Sequence, residues 1–110
     1  MTINHKTLAF RSWDRLPFLE QMAHIGSEVE RVISWREKNN PTYSQSAFER
    51  ALELLDLTIR LGKNKSSIRE LTRLRELLVD YFVYDNTYSS SDEFWRSYFY
   101  PFNYACRRHT

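Results

Sequence analysis

Three sets of side chains have the types and spacing to do chemistry. Glu20, His24 and Glu28 fall at i, i+4 and i+8, so a helix lines them along one edge. Glu49, Glu53 and Asp56 repeat that arrangement in the next apolar-periodic segment. If the two edges meet, a histidine and several carboxylates could hold a divalent metal, as inward Glu and His side chains do inside helical bundles. The plainer alternative is a solvated flank on which these acids pair with Arg31, Arg50 or Arg60. Cys106, the single cysteine, sits beside Arg107 and near His109, which favours a thiolate. A lone helical cysteine is more often a small apolar side chain. The sequence contains no zinc-ligand spacing, no Gly-rich phosphate loop and no Ser/His/Asp arrangement. The expectation is a metal-free protein with no cofactor and no assigned catalytic residue.

A second set is cationic. Residues 60–75 hold Arg60, Lys63, Lys65, Arg69, Arg73 and Arg75 against one acid, Glu70. A helix starting at Ser67 would place Arg69 in its first turn, against the macrodipole. Arg69 and Arg73 are therefore the candidate anion-binding pair, for nucleic acid or an acidic partner, with a solvated charged face as the alternative. The formal net charge is only +2, so no strong field favours nucleic acid.

The third set is aromatic. Eleven of the chain's Phe, Tyr and Trp residues lie between Tyr81 and Tyr104. One helical stripe cannot bury all of them, and a second buried surface on the last helix is most simply a subunit interface, where Tyr and Trp are favoured. With Tyr98 and Phe102 continuing the inward stripe, Trp95, Phe99 and Tyr100 are the expected homodimer contacts.

The elements that must position these groups are helices. From Phe18 the spacing of Met22, Ile25, Val29 and Val32 predicts an amphipathic helix over 17–38, closed by Lys38-Asn39-Asn40-Pro41. A second helix begins in a capping box at Thr42/Gln45 or Ser46/Glu49 and ends at Gly62. A third runs from Ser67, boxed by Glu70, to about Asp85-Asn86, and a fourth from Ser90, boxed by Glu93, with a kink or restart at Pro101. No stretch alternates with period two. The fold expected is an all-α, up-down four-helix bundle with a kinked C-terminal helix, formed by residues 14–110, with residues 1–13 as a loosely attached arm. Its 110 residues, 42% apolar, suit a single domain, and only two glycines argue against a turn-rich β chain. No apolar run approaches the ~18 residues of a membrane span, and Met1–Phe10 lacks a secretory signal's apolar region. With a single cysteine, the expected location is the cytoplasm.

The stretch Phe48-Glu-Arg-Ala-Leu-Glu-Leu-Leu-Asp56 in the second helix, with an aromatic and basic last helix, resembles the HEPN superfamily. It is also similar to the substrate-binding-like helical partners of minimal nucleotidyltransferases. The resemblance covers about residues 14–109 and implies a dimer, commonly half of a toxin–antitoxin pair. Active members of that group are metal-independent ribonucleases with an Arg four to six residues before a His near the chain's end. Here Arg107 and Arg108 stand too close to His109, and Asn103 and Tyr104 occupy the positions where the Arg belongs. What the resemblance implies is interaction rather than RNA cleavage. Helical nucleotide pyrophosphatases of the MazG type carry ExxE before ExxD; Glu53–Asp56 supplies the second motif, whereas Glu28-Val29-Glu30-Arg31 does not supply the first. The leading expectation is a non-catalytic, dimeric interaction module. A metal-dependent hydrolase using Glu20, His24, Glu28, Glu53 and Asp56, or a nucleic-acid binder using residues 60–75, are the alternatives.

Overall fold

The computed structural model describes residues 12–62 and 65–108, which form helices joined by short turns and one loop, with no strand among them. Four long helices follow a helical stretch at 12–14: α1 Phe18–Glu37, α2 Pro41–Leu61, α3 Lys65–Phe82 and α4 Asp92–Arg108. The turn between α1 and α2 is built by two asparagines. Asn39 adopts a left-handed backbone, φ 60°, which Asn tolerates and which stops α1. The Asn40 side chain then accepts a hydrogen bond from the Tyr43 N–H, with Pro41 opening α2. This corrects the Thr42 or Ser46 box: Asn40 caps the helix one or more positions earlier. At the other end, Gly62 is left-handed as expected.

α1 is the hub. It packs most extensively on α2, then on α4, whereas α3 rests on α2 through a smaller contact. Contacts at both ends show that neighbours run antiparallel. Ser44 Oγ donates to the Val32 carbonyl at 2.9 Å near one end of α1–α2, and Arg50 reaches Glu28 further along. On α4, Asp92 meets Arg36, Arg96 meets Glu30, and Cys106 Sγ lies 3.7 Å from the Leu19 carbonyl. The core takes Met22, Ile25, Val29, Val32 and Ile33 from α1, Ala47, Phe48, Ala51 and Leu55 from α2, Leu71, Leu74 and Leu78 from α3, and Trp95 and Phe99 from α4.

Three expectations change here. Trp13 belongs to the core, not to a loose arm: its indole N–H donates to Thr58 Oγ1 at 2.8 Å and its carbonyl accepts from Gln21 Nε2 at 2.8 Å. Residues 1–11 of that arm lie outside the described residues. α4 does not restart at Pro101 but runs through it unbroken, at the expense of one backbone hydrogen bond. α3 begins at Lys65, so Arg69 falls in its second turn, where the opposing dipole has largely faded.

Candidate functional site

The acidic edges do not converge. Glu28 is buried against α2, where Arg31 and Arg50 take its two carboxylate oxygens, the latter at 2.7 Å. Asp56 turns the other way and pairs with Arg75 of α3 at 2.8 Å. Glu53 is exposed. Glu20 and His24 lie further along α1, towards α4, in an open groove of about 550 Å³ shared with Arg31, Asn103, Cys106 and Arg107. The exposed His24 ring sits 5.8 Å from the Trp13 ring. Among the described residues, no three His, Cys, Asp or Glu side chains are placed to hold a metal ion. Arg31 and Arg50 pair as the sequence suggested, but Glu28 is buried rather than solvated and Asp56 takes Arg75 in place of Arg60. His109, the last residue of the ribonuclease-like comparison, lies outside the described residues.

The aromatic set divides differently from expectation. Trp95 is fully buried and Phe99 is 2% exposed, so neither can be an interface residue in this fold. The reason is a close approach: Phe99 packs directly on Gly26 of α1, where no side chain intervenes, and this draws the Trp95–Phe99 side of α4 inward. Tyr98 and Phe102 are half-buried beside them. Tyr98 O–H donates to Glu70 on α3 at 3.3 Å, and its hydroxyl is pushed up to about 12 by burial first and the Glu70 charge second. Tyr100 keeps its expected exposure and stacks with Tyr104 one turn on, ring centroids 6.1 Å apart.

Apart from Leu19 and Tyr43, the other exposed large apolar and aromatic side chains among the described residues follow α3. Val83, Tyr84, Tyr88 and Phe94 all face solvent, Tyr84 at 71% and Tyr88 at 61%. The loop that presents them is ordered from within. Asp80, buried at the end of α3, accepts the N–H of Thr87 at 2.8 Å and of Tyr88 at 3.1 Å on its two oxygens. Asn86, left-handed at φ 54°, accepts from the Ser90 N–H and donates to the Ser90 carbonyl. Ser91 then caps α4 by accepting from the Phe94 N–H. A third tie closes the base. Tyr81 O–H donates to Asp92 at 2.7 Å, and the Arg36 guanidinium donates to the same carboxylate while lying 5.2 and 5.1 Å from the Tyr81 and Phe82 ring centres. Burial first, then the Asp92 contact, raises the Tyr81 hydroxyl above its ordinary value. The Thr87, Tyr88 and Ser90 N–H groups are thus met within the loop, while Tyr84 and Tyr88 face outward.

Arg69 and Arg73 stand exposed on the same helix that leads into this loop, beside Ser66, Thr72, Glu70 and Glu76. The sequence singled out both arginines, but neither Tyr84 nor Tyr88 as a surface residue, and not Asp80 or Asn86, which organise the loop. Their signal was an acid followed by an Asn-and-Ser cluster at the helix end, a pattern that favours side-chain-to-backbone bonding. No helix among the described residues is long and apolar enough to cross a membrane. No protein-family model, curated protein or solved structure matches the chain.

Proposed function

We propose that this chain is a non-catalytic interaction module, an up-down four-helix bundle that pairs with a second copy through its tyrosine-rich surface. One observation carries the reading: the core closes without Val83, Tyr84, Tyr88, Phe94, Tyr100 and Tyr104, which remain in water. Soluble monomers seldom leave contiguous apolar patches beyond a few hundred Å² uncovered. Tyrosine suits the role because its ring offers contact area at low conformational cost while the hydroxyl stays wet. The alternative, a hydrolase centre, finds no support in the geometry, since Glu28 and Asp56 are held by arginines on separate sides of α2. The resemblance to HEPN-type bundles extends the proposal to a cytoplasmic protein partner, such as a nucleotidyltransferase-like or toxin–antitoxin protein. Light scattering on the purified chain at micromolar concentration tests the reading. A mass of two chains is expected, and a monomer mass up to about 100 µM, well above the range of specific pairing, overturns it.

A further inference from the structure

We infer that the second copy docks antiparallel along α3, so that Arg69 and Arg73 of each chain meet the tyrosine loop of the other. The inference rests on the self-pairing reading above and specifies its surface and register. Arg69, Arg73, Glu76, Asp80 and Val83 are spaced 4, 3, 4 and 3, which places them on one face of α3. Thr87 and Tyr88 bond back to Asp80, so the loop folds over the C-terminal half of that same face. The N-terminal half carries the two exposed arginines, which make no ion pair among the described residues.

The two halves are opposite in charge. Residues 83–94 include Asp85, Asp92 and Glu93 and no Lys or Arg. Asp92 is taken up by Arg36 and Tyr81, which leaves the exposed Asp85 and Glu93 to give the loop its charge. α3 also has less cover from its own chain than α1 or α2. From Arg73 to Val83 the axis advances about 15 Å, well within one helix-length contact. A parallel apposition would oppose arginine to arginine and acid to acid. Antiparallel pairing about a twofold axis instead makes each contact twice, with guanidinium groups over Tyr84 and Tyr88 and beside Asp85 and Glu93. Arg and Tyr are the residues most used at such interfaces.

Charge exchange tests the register. Two double variants are made, Arg69→Glu with Arg73→Glu, and Asp85→Arg with Glu93→Arg, all at exposed positions, with far-UV circular dichroism to verify that each stays helical. Sedimentation velocity should show each variant alone associating at least about tenfold more weakly than the natural chain, because like charges now face each other. An equimolar mixture of the two should restore a dimer, since every opposed pair is again of unlike sign. If both variants alone dimerise as the natural chain does, or if the mixture fails to recover, the α3 register is wrong while self-pairing through Tyr100 and Tyr104 still stands. If the natural chain is itself monomeric at about 100 µM, the self-pairing reading falls with it.

Discussion

The α1–α4 seam and the outward face of α3 use the same residue types to opposite ends. In the seam, Trp95 and Phe99 are buried against Gly26, and Arg96 is held by Glu30 through two contacts of 2.9 Å and by Glu37 at 3.2 Å. Along α3 and its loop, Tyr84 and Tyr88 face water, and Arg69 and Arg73 make no ion pair with another helix among the described residues. Aromatics and arginines are therefore not in themselves core or surface. Their state follows from whether a second helix of the same chain lies opposite, and among the described residues α3's outward face has none. What is satisfied internally in one region is left available in the other.

Substitutions should separate the two regions by what they damage. The largest effect is expected for Trp95→Ala, a loss of about 3–5 kcal/mol in chemical denaturation, as for other buried tryptophans. The next tests the seam's closeness. A Cβ on Gly26 would lie 2.8 Å from the Phe99 Cβ, so Gly26→Ala should overpack the seam. Its cost of about 1–3 kcal/mol exceeds the ~1 kcal/mol helical gain of alanine, so the variant should be net destabilised in chemical denaturation. Glu28→Gln leaves two arginines facing a neutral amide; with both arginines more than half exposed, the loss should be only about 1–2 kcal/mol.

The pH dependence also differs by region. Tyr98 is held neutral in the folded chain, so its contribution is complete below pH 10, the ordinary tyrosine value, and is lost as pH rises towards about 12. Tyr98→Phe should flatten stability in that alkaline window, and the tyrosinate absorbance of the natural chain should show one late-titrating ring. At the acid end, the Arg96 hydrogen bond depresses the Glu30 carboxyl, so its contribution is present above 4.5 and is lost as pH falls below it. The smallest stability effect is expected for Tyr84→Ser, within about 0.5 kcal/mol of the natural chain at low protein concentration. A larger loss there would erase the distinction between the regions.

Much of this fold was legible from apolar spacing. The seam of α1 and the stripes of α2 and α3 landed where the 3.6 period placed them, because each helix has one apolar face and few glycines or prolines to interrupt it. Caps were less legible. Asn40 rather than Thr42 starts α2, and Ser91 rather than Ser90 starts α4, since several adjacent Ser, Thr and Asn residues compete for one role and tertiary geometry chooses among them. The division of α4's aromatics was not legible at all. Spacing offers two equivalent stripes there, and the choice depends on Gly26, a residue on another helix whose missing side chain admits Phe99. The acid–histidine edges failed for a related reason: spacing shows which residues share a face, but not that Arg50 and Arg75 reach Glu28 and Asp56 from neighbouring helices.

The thermal midpoint measured across a range of chain concentrations tests the central claim, that the α3 surface is reserved for a second copy. Pairing of folded chains raises the midpoint with concentration by mass action. The natural chain should show that rise. A Tyr84→Ser, Tyr88→Ser double variant should lose it while keeping the natural chain's midpoint at high dilution. A natural chain whose midpoint is independent of concentration, or a double variant whose midpoint falls at every dilution as a core variant's would, contradicts the account.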